Sequence, residues 1–342
     1  MIVNPYSVTA LTIDSLSVVL ATVTLVKTKE HLFRRTGPGP DTGEQYTMRE
    51  NQRYLLFCLG ESMLVIRLFS YPFFYLVMAS FVGKVDGAMC IYGATKLFPG
   101  LTLFLEVIKP LLFFLGGVWI MLFGLERMNQ GGLGQADRPA ATMLILLLGC
   151  AGLTLVEAGG SIVLWLRASA ELAVSCCTTI TDIPSRFTVW IPEAILGPDF
   201  VKPLWYGYFG FNGLMLLLGG VGWFRVSRGK AGVLMFTLLS CLAICCGGIT
   251  LLAMIELVAP GLMGLSFHHC IYCFVQDVLD GALILGLVMF GTFGFLALLP
   301  VFLLARSWTE RRRLDRVLSW LLGLGMIGLS GSLLMVSIHL LF

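Results

Sequence analysis

The string His268-His269-Cys270-Ile271-Tyr272-Cys273 gathers the residue types in this chain best suited to chemistry. Two thiols at C-x-x-C spacing can chelate one ion or close a small disulfide ring, and two adjacent imidazoles add nitrogen ligands. The sequence has only four histidines, so finding two of them here concentrates ligand chemistry in one place. The order excludes c-type haem attachment, because histidine precedes the thiol pair instead of following it. A shorter copy, Cys90-Ile91-Tyr92, recurs upstream. Thiolate and imidazole together suit copper, zinc or iron and exclude a hard-cation site. The predicted metal or redox set is therefore Cys90, His268, His269, Cys270 and Cys273.

The sequence has ten cysteines, and their surroundings decide what each means. Cys176 and Cys177 form a neighbouring pair that could shuttle electrons to Cys270 and Cys273, with a quinone beside them. Cys58, Cys150, Cys241, Cys245 and Cys246 fall in apolar runs and read as small packing residues. A bridge from Cys90 to Cys270 or Cys273 is the structural alternative to a metal site.

Charged residues inside apolar runs could support such a site. Helical phase extended from His269 puts Cys273, Asp277 and Asp280 on one face, which should then point toward protein or water. Glu106, Lys109, Glu157 and Glu256 are expected at the same level. Glu106 and Lys109, three residues apart on a helix, can neutralise each other. Glu61 and Arg67 read as lying deeper, with Arg67 pairing to a carboxylate on another helix or to an anionic group.

The elements that position these residues are membrane helices. Hydrophobic residues make up 57% of the chain and charged residues 13%, with mean hydropathy +0.89. A soluble domain carries about 25% charged residues. Apolar runs at 8–26, 54–82, 99–124, 140–166, 204–224, 232–258, 276–305 and 317–341 are each long enough to cross ~30 Å of hydrocarbon at 1.5 Å per residue. The predicted fold is an all-α integral membrane protein of about eight transmembrane helices. Alternate loops carry sixteen and five basic residues, so the positive-inside rule puts the rich set in the cytoplasm and both termini outside. The expected location is the plasma (inner) membrane. The first residues lack a basic n-region, which predicts a retained first helix instead of a cleaved signal peptide.

Both Cys-Ile-Tyr copies fall in loops of the basic-poor set, between spans two and three and between spans six and seven. Their matching positions suggest two parallel four-helix halves, 1–166 and 204–342, with 167–203 as an extracytoplasmic cap; chance recurrence is the other reading. The cytoplasmic stretch 35–50, rich in Gly and Pro, reads as a flexible linker.

Three functions compete. The first is an extracytoplasmic Cys/His redox or metal site, for electron transfer or for metal or cofactor handling within a respiratory or assembly complex. Its partners would be the lipid bilayer and other membrane or periplasmic redox proteins. The second is a soft-metal or small-solute transporter, which would need ligands across the whole membrane. The third is a structural subunit stapled by disulfides. The modest net charge of +3 gives nucleic-acid binding no support. No P-loop, dinucleotide fingerprint or Ser/His/Asp arrangement is present, so no enzymatic reaction is assigned.

Overall fold

The computed structural model describes residues 2–34, 43–129, 137–169, 173–175 and 177–341. Cys176, the first of the two predicted relay thiols, and residues 35–42 of the predicted linker lie outside the described residues. Among the described residues every regular element is a helix. Eight helices among the described residues are long and apolar enough to cross a membrane: α1 (Pro5–Phe33), α2 (Thr47–Ala79), α3 (Pro99–Met128), α4 (Ala141–Arg167), α5 (Val201–Ser227), α6 (Val233–Met263), α7 (Gly281–Ala305) and α8 (Arg311–Leu341). The chain is thus an all-α multi-pass membrane protein. Helices suit this composition because each one satisfies its own backbone hydrogen bonds where no water is present to do so.

Local signals set several ends. Before α1 the Ser7 N–H donates to Asn4 Oδ1 (2.8 Å) and the Asn4 N–H donates to Ser7 Oγ (3.0 Å). This reciprocal cap sits around Pro5, whose fixed φ suits a first helical position. The run predicted to begin span seven at 276 divides in the structure. A short helix, Ile271–Asp277, stops where Val278 turns extended (φ −94°, ψ 118°), and α7 starts afresh at Gly281. The predicted continuous face through Cys273, Asp277 and Asp280 therefore does not form.

The chain divides into two compact units. The first comprises residues up to Asp86, Ala94–Ala173 and the short piece Ser307–Thr309, and it contains α1 to α4. There α1 packs along α4 and α2, and α3 packs along α4 and α2. Phe57, Trp119 and Phe123 meet in its core, where the Trp119 indole N–H donates to the Met143 carbonyl at 2.9 Å. The second unit comprises Gly87–Gly93, Val174–Arg306 and Glu310–Phe342, and it contains α5 to α8. Its closest pair is α7 with α8. A Cβ added at Gly294 would stand 2.6 Å from the Gly325 nitrogen, and one at Gly328 would stand 2.6 Å from the Gly291 nitrogen. Small residues here let two backbones touch, which gives dispersion contact where lipid supplies no hydrophobic drive.

Candidate metal centre

The second unit gathers four sulfurs from three separate stretches of chain. Cys90 comes from the tip between α2 and α3. Cys177 comes from the segment between α4 and α5. Cys270 and Cys273 come from the segment between α6 and α7.

Local structure explains how each is presented. Cys90 immediately precedes the helix Ile91–Thr95, and Cys270 immediately precedes the helix Ile271–Asp277. The two Cys-Ile-Tyr copies thus adopt the same local form, and their tyrosines meet, with the Tyr92 and Tyr272 ring centroids 6.0 Å apart. C-x-x-C spacing places Cys273 one helical turn after Cys270, so both thiols look the same way. Gly87 opens the Cys90 tip with φ +81°, and a Cβ there would collide with the Val174 carbonyl oxygen. That close approach seats the Cys90 tip against the strand of chain leading to Cys177.

The four Sγ atoms all lie within 4.8 Å of one another. Cys90 Sγ is 3.4 Å from Cys177 Sγ, and Cys177 Sγ is 3.7 Å from Cys273 Sγ. Ideal tetrahedral bonding at ~2.3 Å sets sulfurs about 3.8 Å apart, so the cage matches a single ion. A sulfide-bridged iron cluster distributes its thiolates over several irons and needs a wider cage. A disulfide needs sulfurs ~2.05 Å apart, and the described cysteines are all free thiols. The cage is dry. Cys90, Cys177 and Cys270 are each 2% exposed and Cys273 is 7% exposed, with Tyr92, Met263 and Tyr272 packed around them.

Without a cation the four thiols compete over protons. Hydrogen bonds from Cys270 and Cys273, with help from the Gly93 N–H, pull Cys90 down to about 2 against the effect of burial. Cys273 is pushed well up, because its proton is held in hydrogen bonds to Cys270 and then Cys90. One thiolate is therefore easy to form, and Cys270 and Cys273 need a positive ion nearby to give up their protons.

The histidines stand outside this group of four. His268 Nε2 lies 3.8 Å from Cys177 Sγ, and His268 Nδ1 is 2.8 Å from Asp182 Oδ1. A carboxylate on one ring nitrogen fixes which way the other faces, an arrangement common behind metal ligands. The Thr181 hydroxyl donates to the same Asp182 oxygen at 2.8 Å. His269 turns to Glu256, with Nδ1 3.5 Å from Oε2. Burial pushes its imidazole below the ordinary value, against the pull of Glu256. Glu256 sits in a π-helical turn, Met254–Val258, within α6, and it also accepts three hydrogen bonds from Arg186.

The remaining expected charges are placed elsewhere. Asp277 is exposed, and Asp280 accepts from His339 Nε2 at 2.8 Å. Lys109 does not take Glu106 as its hydrogen-bonded partner: it bonds to Glu157 and Ser161 in the first unit, and Arg67 also holds Glu157. Glu106 lies on the same helix as Lys109 and interacts with Tyr71 and Tyr75. Three residues that shape these sites were not singled out from sequence. Asp182 and Arg186 sit in a loop without a motif, and Asp14 is a lone polar residue near the start of a span. No family model matches this chain, and no curated protein or solved structure is significantly similar to it.

Proposed function

We propose that this membrane protein holds a single transition-metal ion between Cys90, Cys177, Cys270 and Cys273, and that the centre carries one electron at a time at the extracytoplasmic face. The observation that carries this reading is the group of four buried sulfurs within 4.8 Å of one another. A tetrahedral set of four thiolates fits iron or zinc better than copper. Four protein ligands leave no open position for a substrate, so inner-sphere catalysis and release of a transported ion are disfavoured. Burial likewise disfavours exchange with a substrate disulfide, which requires an accessible thiol.

A closed iron site of this kind changes charge by one unit with little change in geometry. His268, fixed by Asp182, stands beside Cys177. The basic-poor loops that supply the ligands support an extracytoplasmic location. The electron's partners would be a soluble redox protein on that side and a quinone or companion subunit in the membrane.

One observation favours a second reading. The ligands come from three separated connections, so a zinc ion here would act as a clasp on those loops, without redox chemistry. Metal analysis of the purified full-length protein, with redox titration followed by electron paramagnetic resonance, separates the two. About one iron per chain with a reversible ferric signal supports electron transfer. About one zinc supports the clasp, and absence of both metals overturns the metal reading.

A further inference from the structure

The first unit contains a second concentration of chemistry, unrelated to the sulfur cage. Asp14 on α1, Arg67 on α2, Lys109 on α3 and Glu157 on α4 form one connected network. Arg67 Nη1 donates to Asp14 Oδ1 at 2.6 Å, and Arg67 Nη2 and Lys109 Nζ both donate to Glu157. The Trp165 indole N–H donates to the other Asp14 oxygen at 2.8 Å. All four charged side chains are at most 6% exposed.

The network lies deep in the helices. Asp14 is nine residues from the start of α1, Lys109 ten from the start of α3, Glu157 ten from the end of α4 and Arg67 twelve from the end of α2. These ends share one side, because the helices alternate in direction. At 1.5 Å per residue the network lies about 14–18 Å from those ends, well inside helices of 27–33 residues. Ionisable residues at this level are costly and commonly mark ion or proton pathways.

The four formal charges cancel, but unevenly. Glu157 touches two cations. Asp14 touches one cation, which it shares with Glu157, and a neutral indole. Asp14 is therefore the less compensated of the two carboxylates.

Two small cavities flank the network. Arg67, Ser70, Tyr71, Lys109 and Glu157 line the first; Asp14, Ser70, Lys109 and Trp165 line the second. Each has room for about one water molecule. Arg67 Nε, in a side chain 2% exposed, has no hydrogen-bond partner among the described residues, and water in the adjoining cavity would satisfy it. The other titratable groups near the network are Tyr71 on α2 and Glu106 on α3.

We propose that this network is a proton-binding site within the membrane-spanning part of the helices, with Asp14 as the group that takes up and releases the proton through water in the flanking cavities. The ligand is a proton from water, and no electron is transferred. The purely structural alternative is a neutral pin in which all four groups stay ionised.

Infrared difference spectroscopy of the full chain in lipid nanodiscs, recorded as pH is lowered while the protein stays folded, decides between them. The expected result is a carbonyl band of a buried protonated carboxyl. It should shift down when aspartate carboxyls carry carbon-13, disappear in Asp14→Asn and return at a changed frequency in Asp14→Glu. The isotope shift needs only the native sequence, so it decides the matter even if Asp14→Asn does not fold. Absence of the band, or a band unmoved by the aspartate label or retained in Asp14→Asn, overturns the proposal.

Discussion

At the scale of single residues, the problem is how four sulfurs can share one small dry space. Thiolates repel each other strongly where the effective dielectric is low, and thiols this close can relieve the crowding by hydrogen bonding, oxidation or metal binding. Cys177 contributes a sulfur from a segment with no spacing motif, so its removal tests the cage without altering C-x-x-C. Cys177→Ser should lose tightly held metal, while Cys150→Ser, buried in α4 of the first unit, should retain it; metal content after chelator challenge is the check. Asp182→Asn keeps the size of the side chain but weakens its hold on His268. Because Asp182 holds His268 and not a sulfur ligand, metal affinity should fall by less than the ~10–100-fold typical of a partner hydrogen-bonded to a ligand, which a competition titration would measure. The sequence made Cys90, Cys270 and Cys273 legible through the repeated Cys-Ile-Tyr string. It offered Cys177 only as a relay thiol, because nothing local links it to a motif more than ninety residues away.

At the scale of elements, two short helices and one glycine aim the sulfurs. The sequence expectation of one helix from His269 through Asp280 missed the break at Val278. An apolar run reads the same whether or not the backbone turns extended within it. Gly87 had no sequence signal beyond its identity, since its role depends on the Val174 carbonyl pressing against it. Gly87→Ala forces a Cβ into a left-handed conformation and into that oxygen. It should destabilise the protein by at least about 1–2 kcal/mol and release metal, measured by thermal unfolding and metal content together. Between α7 and α8, Gly328→Val should push the helices apart at a cost of about 1–3 kcal/mol, with metal content kept in the fraction that folds. Loss of metal in the first variant and retention in the second would show that the tip, and not general stability, controls the cage.

For the whole molecule, hydropathy made the fold legible: eight apolar runs correspond to eight helices. Several helices extend past their predicted bounds, as α1 does by running Pro5–Phe33 where 8–26 was read. Polar residues near helix ends lower the hydropathy there without ending the helix. Arg67 pairs with carboxylates on other helices, as its sequence context suggests, but which carboxylates these are, and which one Lys109 takes, was not legible, because pairing between helices depends on rotation and depth that one helix's sequence does not encode. Orientation rests on the basic loops. A cysteine introduced at Asp199 should react with an impermeant maleimide on intact cells, and one at Arg228 only after permeabilisation; both positions are exposed. The reverse pattern would put the cage on the cytoplasmic side. The most direct test of the central claim is X-ray absorption at the metal edge, with elemental analysis, on full-length protein purified without chelator. The account predicts about one metal ion per chain in a shell of four sulfurs at ~2.3 Å. A metal-free protein whose four cage cysteines all react with an alkylating agent, or are joined in disulfides, would contradict it.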